Sequence, residues 1–162
     1  MTTTTLTFDI YVRATPDQVW RALTDRAFVP RWRFGMSFDT SWQAGAPLTS
    51  RSPDGVGSVL DASPGKRLSY DWEQSGAPEA NGGHRSTVSF ELTPMGGVTH
   101  LRTVHSDLEK DGPFCRIVTG GWPMILSSLK SLLEGPDEDA VRKHHAALGV
   151  PCGDVHQVSS LT

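Results

Sequence analysis

The sequence predicts one α+β domain in which a curved antiparallel sheet wraps a single long C-terminal helix. Three observations carry that expectation. Leu6, Phe8, Ile10 and Val12 alternate with Thr7, Asp9, Tyr11 and Arg13, the two-residue period of a strand with one buried face. The middle of the chain is cut every few residues by Gly and Pro, as short strands joined by turns require. Beyond Gly112-Pro113, the residues Phe114, Val118, Trp122, Ile125, Leu129 and Leu132 recur at the spacing of one amphipathic helix.

Each element follows in order. After the first strand, Thr15-Pro16-Asp17 sets a capping hydroxyl before a Pro at the first helical position, and Val19, Trp20 and Leu23 continue a short helix to about Asp25. Arg26 to Trp32 reads as a further helical turn, broken at Pro30. Strands are expected at Met36 to Trp42, Pro47 to Arg51, Val56 to Ala62 and Lys66 to Glu73, the last with Leu68, Tyr70 and Trp72 on one face. Gln74 to Gly83 lacks any period and reads as a flexible hairpin loop. Ser86 to Leu92 and Val98 to Asp107 then flank Pro94-Met95-Gly96-Gly97, whose glycines tolerate the positive φ of a reversal. In the long helix, Pro123 removes an amide donor, so a kink is expected there, eased by Gly120 and Gly121. Gly135-Pro136 ends that helix, Asp137 to Leu148 suits another short one, and residues 149–162 read as an irregular tail behind one domain, 1–148.

Composition narrows the function. The 162 residues suffice for one core, and five Trp, six Phe and two Tyr concentrate its apolar surface in few side chains. Fifteen basic residues against eighteen acidic ones leave a net charge of −3, which argues against nucleic acid as a partner. Met1 to Thr5 is polar and uncharged, and no segment approaches the roughly 18 apolar residues of a membrane span. The expectation is a cytoplasmic protein without membrane insertion. Cys115 and Cys152 stand far apart, as two reduced thiols rather than a disulfide or a zinc knuckle.

Three segments carry a resemblance: Val12-Arg13-Ala14-Thr15-Pro16-Asp17-Gln18-Val19-Trp20-Arg21-Ala22-Leu23-Thr24, then Thr99-His100-Leu101 through His105-Ser106, then Gly121-Trp122 through Leu129-Lys130-Ser131-Leu132-Leu133-Glu134-Gly135. Over about residues 3 to 135 the chain resembles the START-like superfamily, which includes the birch-pollen allergens, and within it the group named after the activator of the heat-shock-protein-90 ATPase. That resemblance implies a helix-grip fold: seven antiparallel strands around the terminal helix, with two small helices after the first strand closing one end. Members of the superfamily bind lipids, steroids, polyketides or plant hormones between helix and sheet. A few relatives are aromatase/cyclases or protect against enediyne antibiotics, and Gly121-Trp122-Pro123-Met124-Ile125-Leu126 is similar to the protective group. The eukaryotic activator works through an additional N-terminal domain, for which 162 residues leave no room, so a chaperone role is the lesser expectation.

The candidate site residues follow from parity and from this architecture. Trp32, Trp42, Tyr70, Trp72 and Trp122 lie on segments whose apolar faces should converge, with Phe90, Phe114 and Val118 beside them. The same side chains would equally fill a core. His105 shares parity with Leu101 and Thr103, which would turn it into the cavity, although Val104 spoils the alternation. His84 has the inward parity of Val88 and Phe90 and could stand at the pocket mouth, or simply at a solvated loop edge.

Other features argue against chemistry. His144-His145 point about 100° apart on a helix and do not share a metal easily. Ser127 and Ser128 lack a GxSxG turn, and Gly55-Val56-Gly57 lacks the third glycine of a dinucleotide loop. The expectation is therefore a protein that sequesters a small hydrophobic ligand, with no catalytic residue, cofactor or metal, and with a homodimer left open. The alternatives are a polyketide cyclase or dehydratase, in which His105, Arg102 or Arg85 would polarise a carbonyl, and a protein-interaction module.

Overall fold

A computed structural model describes residues 2–135 of the chain. The expected helix near Asp137 to Leu148, the His144-His145 pair, Cys152 and the tail lie outside the described residues.

Seven strands form one antiparallel sheet in the order β1-β7-β6-β5-β4-β3-β2. They are β1 (Thr3–Val12), β2 (Ser37–Asp39), β3 (Pro47–Arg51), β4 (Gly55–Ser63), β5 (Arg67–Gln74), β6 (Ser86–Met95) and β7 (Val98–Glu109). Between β1 and β2 lie the short helices α1 (Pro16–Thr24) and α2 (Val29–Trp32), and α3 (Pro113–Glu134) closes the described chain. This is the α+β helix-grip arrangement that the alternating strands and the terminal stripe predict.

The ends of the elements obey local chemistry. Thr15 caps α1 by accepting from the Gln18 backbone at 3.2 Å, while the Gln18 side chain accepts from the Thr15 backbone at 2.8 Å. These reciprocal bonds satisfy donors that a helix start otherwise leaves bare. Pro30 starts α2 rather than breaking it, because a Pro in the first turn has no intrahelical bond to lose. The reversal after β6 is tighter than predicted, since Pro94 and Met95 still pair with Thr99 and Val98 and leave Gly96 (φ +66°) to turn the chain. α3 runs without interruption through Pro123.

The stretch read as a flexible loop contains a 3₁₀ turn, Pro78–Asn81, and is pinned down. The buried Asn81 donates through Nδ2 to the Asp107 carbonyl at 2.9 Å and the His84 carbonyl at 3.1 Å. Its Oδ1 accepts from the Glu109 backbone at 2.8 Å. One amide side chain thus ties the loop to the end of β7.

α3 packs its stripe on the sheet: Phe114, Val118, Trp122, Ile125 and Leu129 are all buried, against Leu68, Tyr70, Phe90 and Leu101. The Glu134 carboxylate accepts from the Arg13 backbone at 2.6 Å, joining the C-terminus of α3 to the end of β1. No described helix is long and apolar enough to cross a membrane.

Candidate functional site

The helix does not meet the sheet everywhere. A partly open cavity lies between them, walled by α3 (Phe114, Val118, Gly121, Trp122, Ile125), by the sheet (Tyr70, Trp72, Ser86, Val88, His105), and by Arg33, Met36 and Pro53. Counted as space open to the centre of a water molecule, it measures about 50 Å³, several times the roughly 10–15 Å³ that one water needs by that measure. The strand alternation puts these side chains there: Tyr70 and Trp72 on β5, Ser86 and Val88 on β6 and His105 on β7 all have inward parity.

Aromatic rings hold the shape. Trp72 stacks on Phe114 with centroids 5.8 Å apart, and Phe90 meets Trp122 edge-on at 5.9 Å. Trp72 reaches its place because β4 carries no side chain at Gly55. A Cβ there would stand 2.1 Å from the Trp72 indole nitrogen, which instead donates to Ser50 Oγ at 2.8 Å. Gly55 therefore makes room for an indole, and Gly57 for the Asp71 backbone.

The polar part of the wall is a small set of ordered bonds. Trp122 Nε1 donates to His105 Nδ1 at 3.0 Å. An indole nitrogen can only donate, so Nδ1 is the bare nitrogen and the ring proton sits on Nε2, which donates to Ser86 Oγ at 2.8 Å. Burial, seconded by the positive charge of Arg33, pushes the His105 imidazole down to about 3 from its ordinary 6.5. His105 is thus a neutral ring with both nitrogens engaged, poorly suited to act as a general base.

Sequence reasoning missed Arg33. It is 7% exposed, and its Nη1 donates to the Tyr70 hydroxyl at 2.9 Å. Its guanidinium carbon lies 5.0 Å from the Phe38 ring centroid, 5.2 Å from Trp122 and 5.5 Å from Trp32. Such cation–π contacts help a buried cation, yet Nε has no hydrogen-bond partner among the described residues. A signal was present: between Asp25 and Asp39 the chain carries Arg26, Arg31 and Arg33 among aromatic and aliphatic residues, with no carboxylate.

Of the expected site residues, Tyr70, Trp72, His105, Phe114, Val118 and Trp122 line the cavity. Trp32, Trp42, His84 and Phe90 do not, each for a local reason. Trp32 donates to the Ala22 carbonyl at 2.7 Å and Trp42 to the Thr24 carbonyl at 3.0 Å, so both indoles brace α1. Phe90 lies buried beneath Trp122. His84 falls before the start of β6, where strand parity no longer applies, and donates through Nε2 to the Asp107 carbonyl at 2.8 Å. Arg102 and Arg85 are engaged elsewhere: Arg102 bonds Asp9 at 2.9 Å and Arg85 bonds Asp71 at 3.2 Å. No group of three His, Cys, Asp or Glu among the described residues could hold a metal.

Comparison with solved structures finds the same architecture repeatedly. Protein MLL2253 from Mesorhizobium loti is 28% identical with a TM-score of 0.71, over 80% of this chain and 96% of that one. CalU16 from Micromonospora echinospora is 22% identical, TM-score 0.65, over 94% and 88% respectively. Aha1 from Colwellia psychrerythraea, solved as a dimer, is 23% identical, TM-score 0.66, over 81% and 96%. No curated protein matches the sequence. The family described as Activator of Hsp90 ATPase homolog 1-like protein matches residues 13–134, the span from the end of β1 to the last residue of α3, and the chain belongs to that family.

Proposed function

We propose that this protein binds a small, mainly apolar molecule between α3 and the sheet, without transforming it. The observation that carries the reading is the hollow itself, bounded by Trp72, Phe114, Val118 and Trp122. Well-packed interiors leave few voids larger than a water molecule, and an apolar pocket with a few placed polar groups is the usual form of a ligand site. The bonds that occupy both nitrogens of His105 support binding over catalysis.

Tryptophan fluorescence supplies the test, because Trp72 and Trp122 line the cavity. Titration with small arenes and short-chain lipids should change the emission saturably. Emission that stays constant across such a panel would contradict the reading.

A cyclase-like enzyme is the second reading, favoured by one observation: Arg33 and Tyr70 present donors that could polarise a carbonyl. Among the described residues no Asp or Glu lines the cavity to serve it as a base.

A further inference from the structure

Resting on that binding reading, we infer that the ligand carries an anionic oxygen group, a carboxylate or its equivalent, and that Arg33 receives it with help from Tyr70 and Ser86. Donors outnumber acceptors around the cavity. Arg33 Nη1 donates to Tyr70 Oη, which leaves the Tyr70 hydroxyl proton unassigned. His105 Nε2 donates to Ser86 Oγ, because Trp122 already occupies Nδ1. That leaves the Ser86 hydroxyl proton unassigned as well. The buried Arg33 Nε–H has no partner among the described residues.

The residues that wall the cavity thus hold two hydroxyl protons and, sealed behind the surface, a guanidinium N–H without acceptors, while their one basic nitrogen acceptor is already taken. Among the described residues no carboxylate pairs with Arg33: its polar bond is the one to Tyr70, and its other neighbours are the rings of Phe38, Trp122 and Trp32. A desolvated cation without a counter-charge is costly. An anion seated beside it recovers that cost and gains charge-assisted bonds that a neutral group cannot match. The remaining wall is aromatic and aliphatic, so the fitting ligand is a compact aryl or alkyl acid with its charged end at Arg33.

Three probes of one shape decide the matter: benzoate, nitrobenzene and benzamidinium, anionic, neutral and cationic. Titration calorimetry at pH 7 should show benzoate binding at least about tenfold tighter than nitrobenzene, with benzamidinium weakest. Arg33→Met should abolish that preference, so that benzoate binds no tighter than nitrobenzene when both are measured on the same variant. Tyr70→Phe and Ser86→Ala, which keep the charge, should each weaken benzoate by about three- to tenfold and nitrobenzene less; they carry the test should Arg33→Met not fold. Equal affinities for benzoate and nitrobenzene, or a preference that survives all three substitutions, would overturn the anionic assignment and leave the cavity reading standing. Failure of every probe, nitrobenzene included, would overturn the cavity reading and this inference with it.

Discussion

At the scale of single residues, two buried polar side chains set the character of the cavity. Arg33 brings a guanidinium where solvent is nearly absent, and His105 is a neutral ring. The unfolded chain's imidazole takes up a proton as pH falls through about 6.5, whereas the folded one, buried beside Arg33, refuses it until about pH 3. Stability contributed by the neutral ring is therefore present above pH 6.5 and lost progressively as pH drops. Within that window one bound proton corresponds to about 1.4 kcal/mol per pH unit. His105→Gln, which cannot titrate, should reduce the slope of unfolding free energy against pH by about that amount between pH 4 and 6, measured by denaturant unfolding of both proteins. Parallel slopes would mean that His105 is charged in the fold. Parity placed His105 inward, but its partners on β6 and α3 come from far along the sequence, so its tautomer could be read only from the structure.

At the scale of elements, glycine on β4 matters as much as the aromatics it faces. A methyl group at Gly55 would overlap the Trp72 indole, and one at Gly57 would lie 1.9 Å from the Asp71 carbonyl oxygen. Gly55→Ala should therefore cost about 1–3 kcal/mol by overpacking, measured in urea, and should shift the emission of a tryptophan that lines the cavity. A variant as stable as the parent would show that Trp72 does not lie over β4. Element positions were largely legible in the sequence, because strand and helix periods depend on local order: Pro47–Arg51 fell at its predicted bounds, and α3 begins at Pro113 as Gly112-Pro113 implies. The 3₁₀ turn Pro78–Asn81 was not legible, since what fixes it is Asn81 reaching β7, a contact with no periodic signature. At Asp107 (φ +58°) β7 bulges against β1, and Leu108 rather than Asp107 turns inward, so simple alternation ends just beyond His105.

At the scale of the whole molecule, the sheet and α3 form a grip that leaves a partly open space along the N-terminal half of α3, from Phe114 to Ile125. The aromatic side of the cavity wall could be anticipated from Tyr70, Trp72, Phe114 and Trp122. Its polar side could not, because Arg33 enters from the segment between α2 and β2, where no strand or helix period indicates direction. The chain's place in the Activator of Hsp90 ATPase homolog 1-like family fixes the scaffold, and one scaffold serves many unrelated sites, so the lining side chains must carry the functional argument. Methyl-resolved NMR during titration with nitrobenzene examines the central claim most directly. The account predicts saturable shifts at Met36, Val88, Val118 and Ile125, which line the cavity, larger than those at the core residues Leu48 and Leu108, which do not. Shifts confined to the exposed Val56, Leu60 and Met95 would contradict it, because the molecule would then be meeting the outside of the protein.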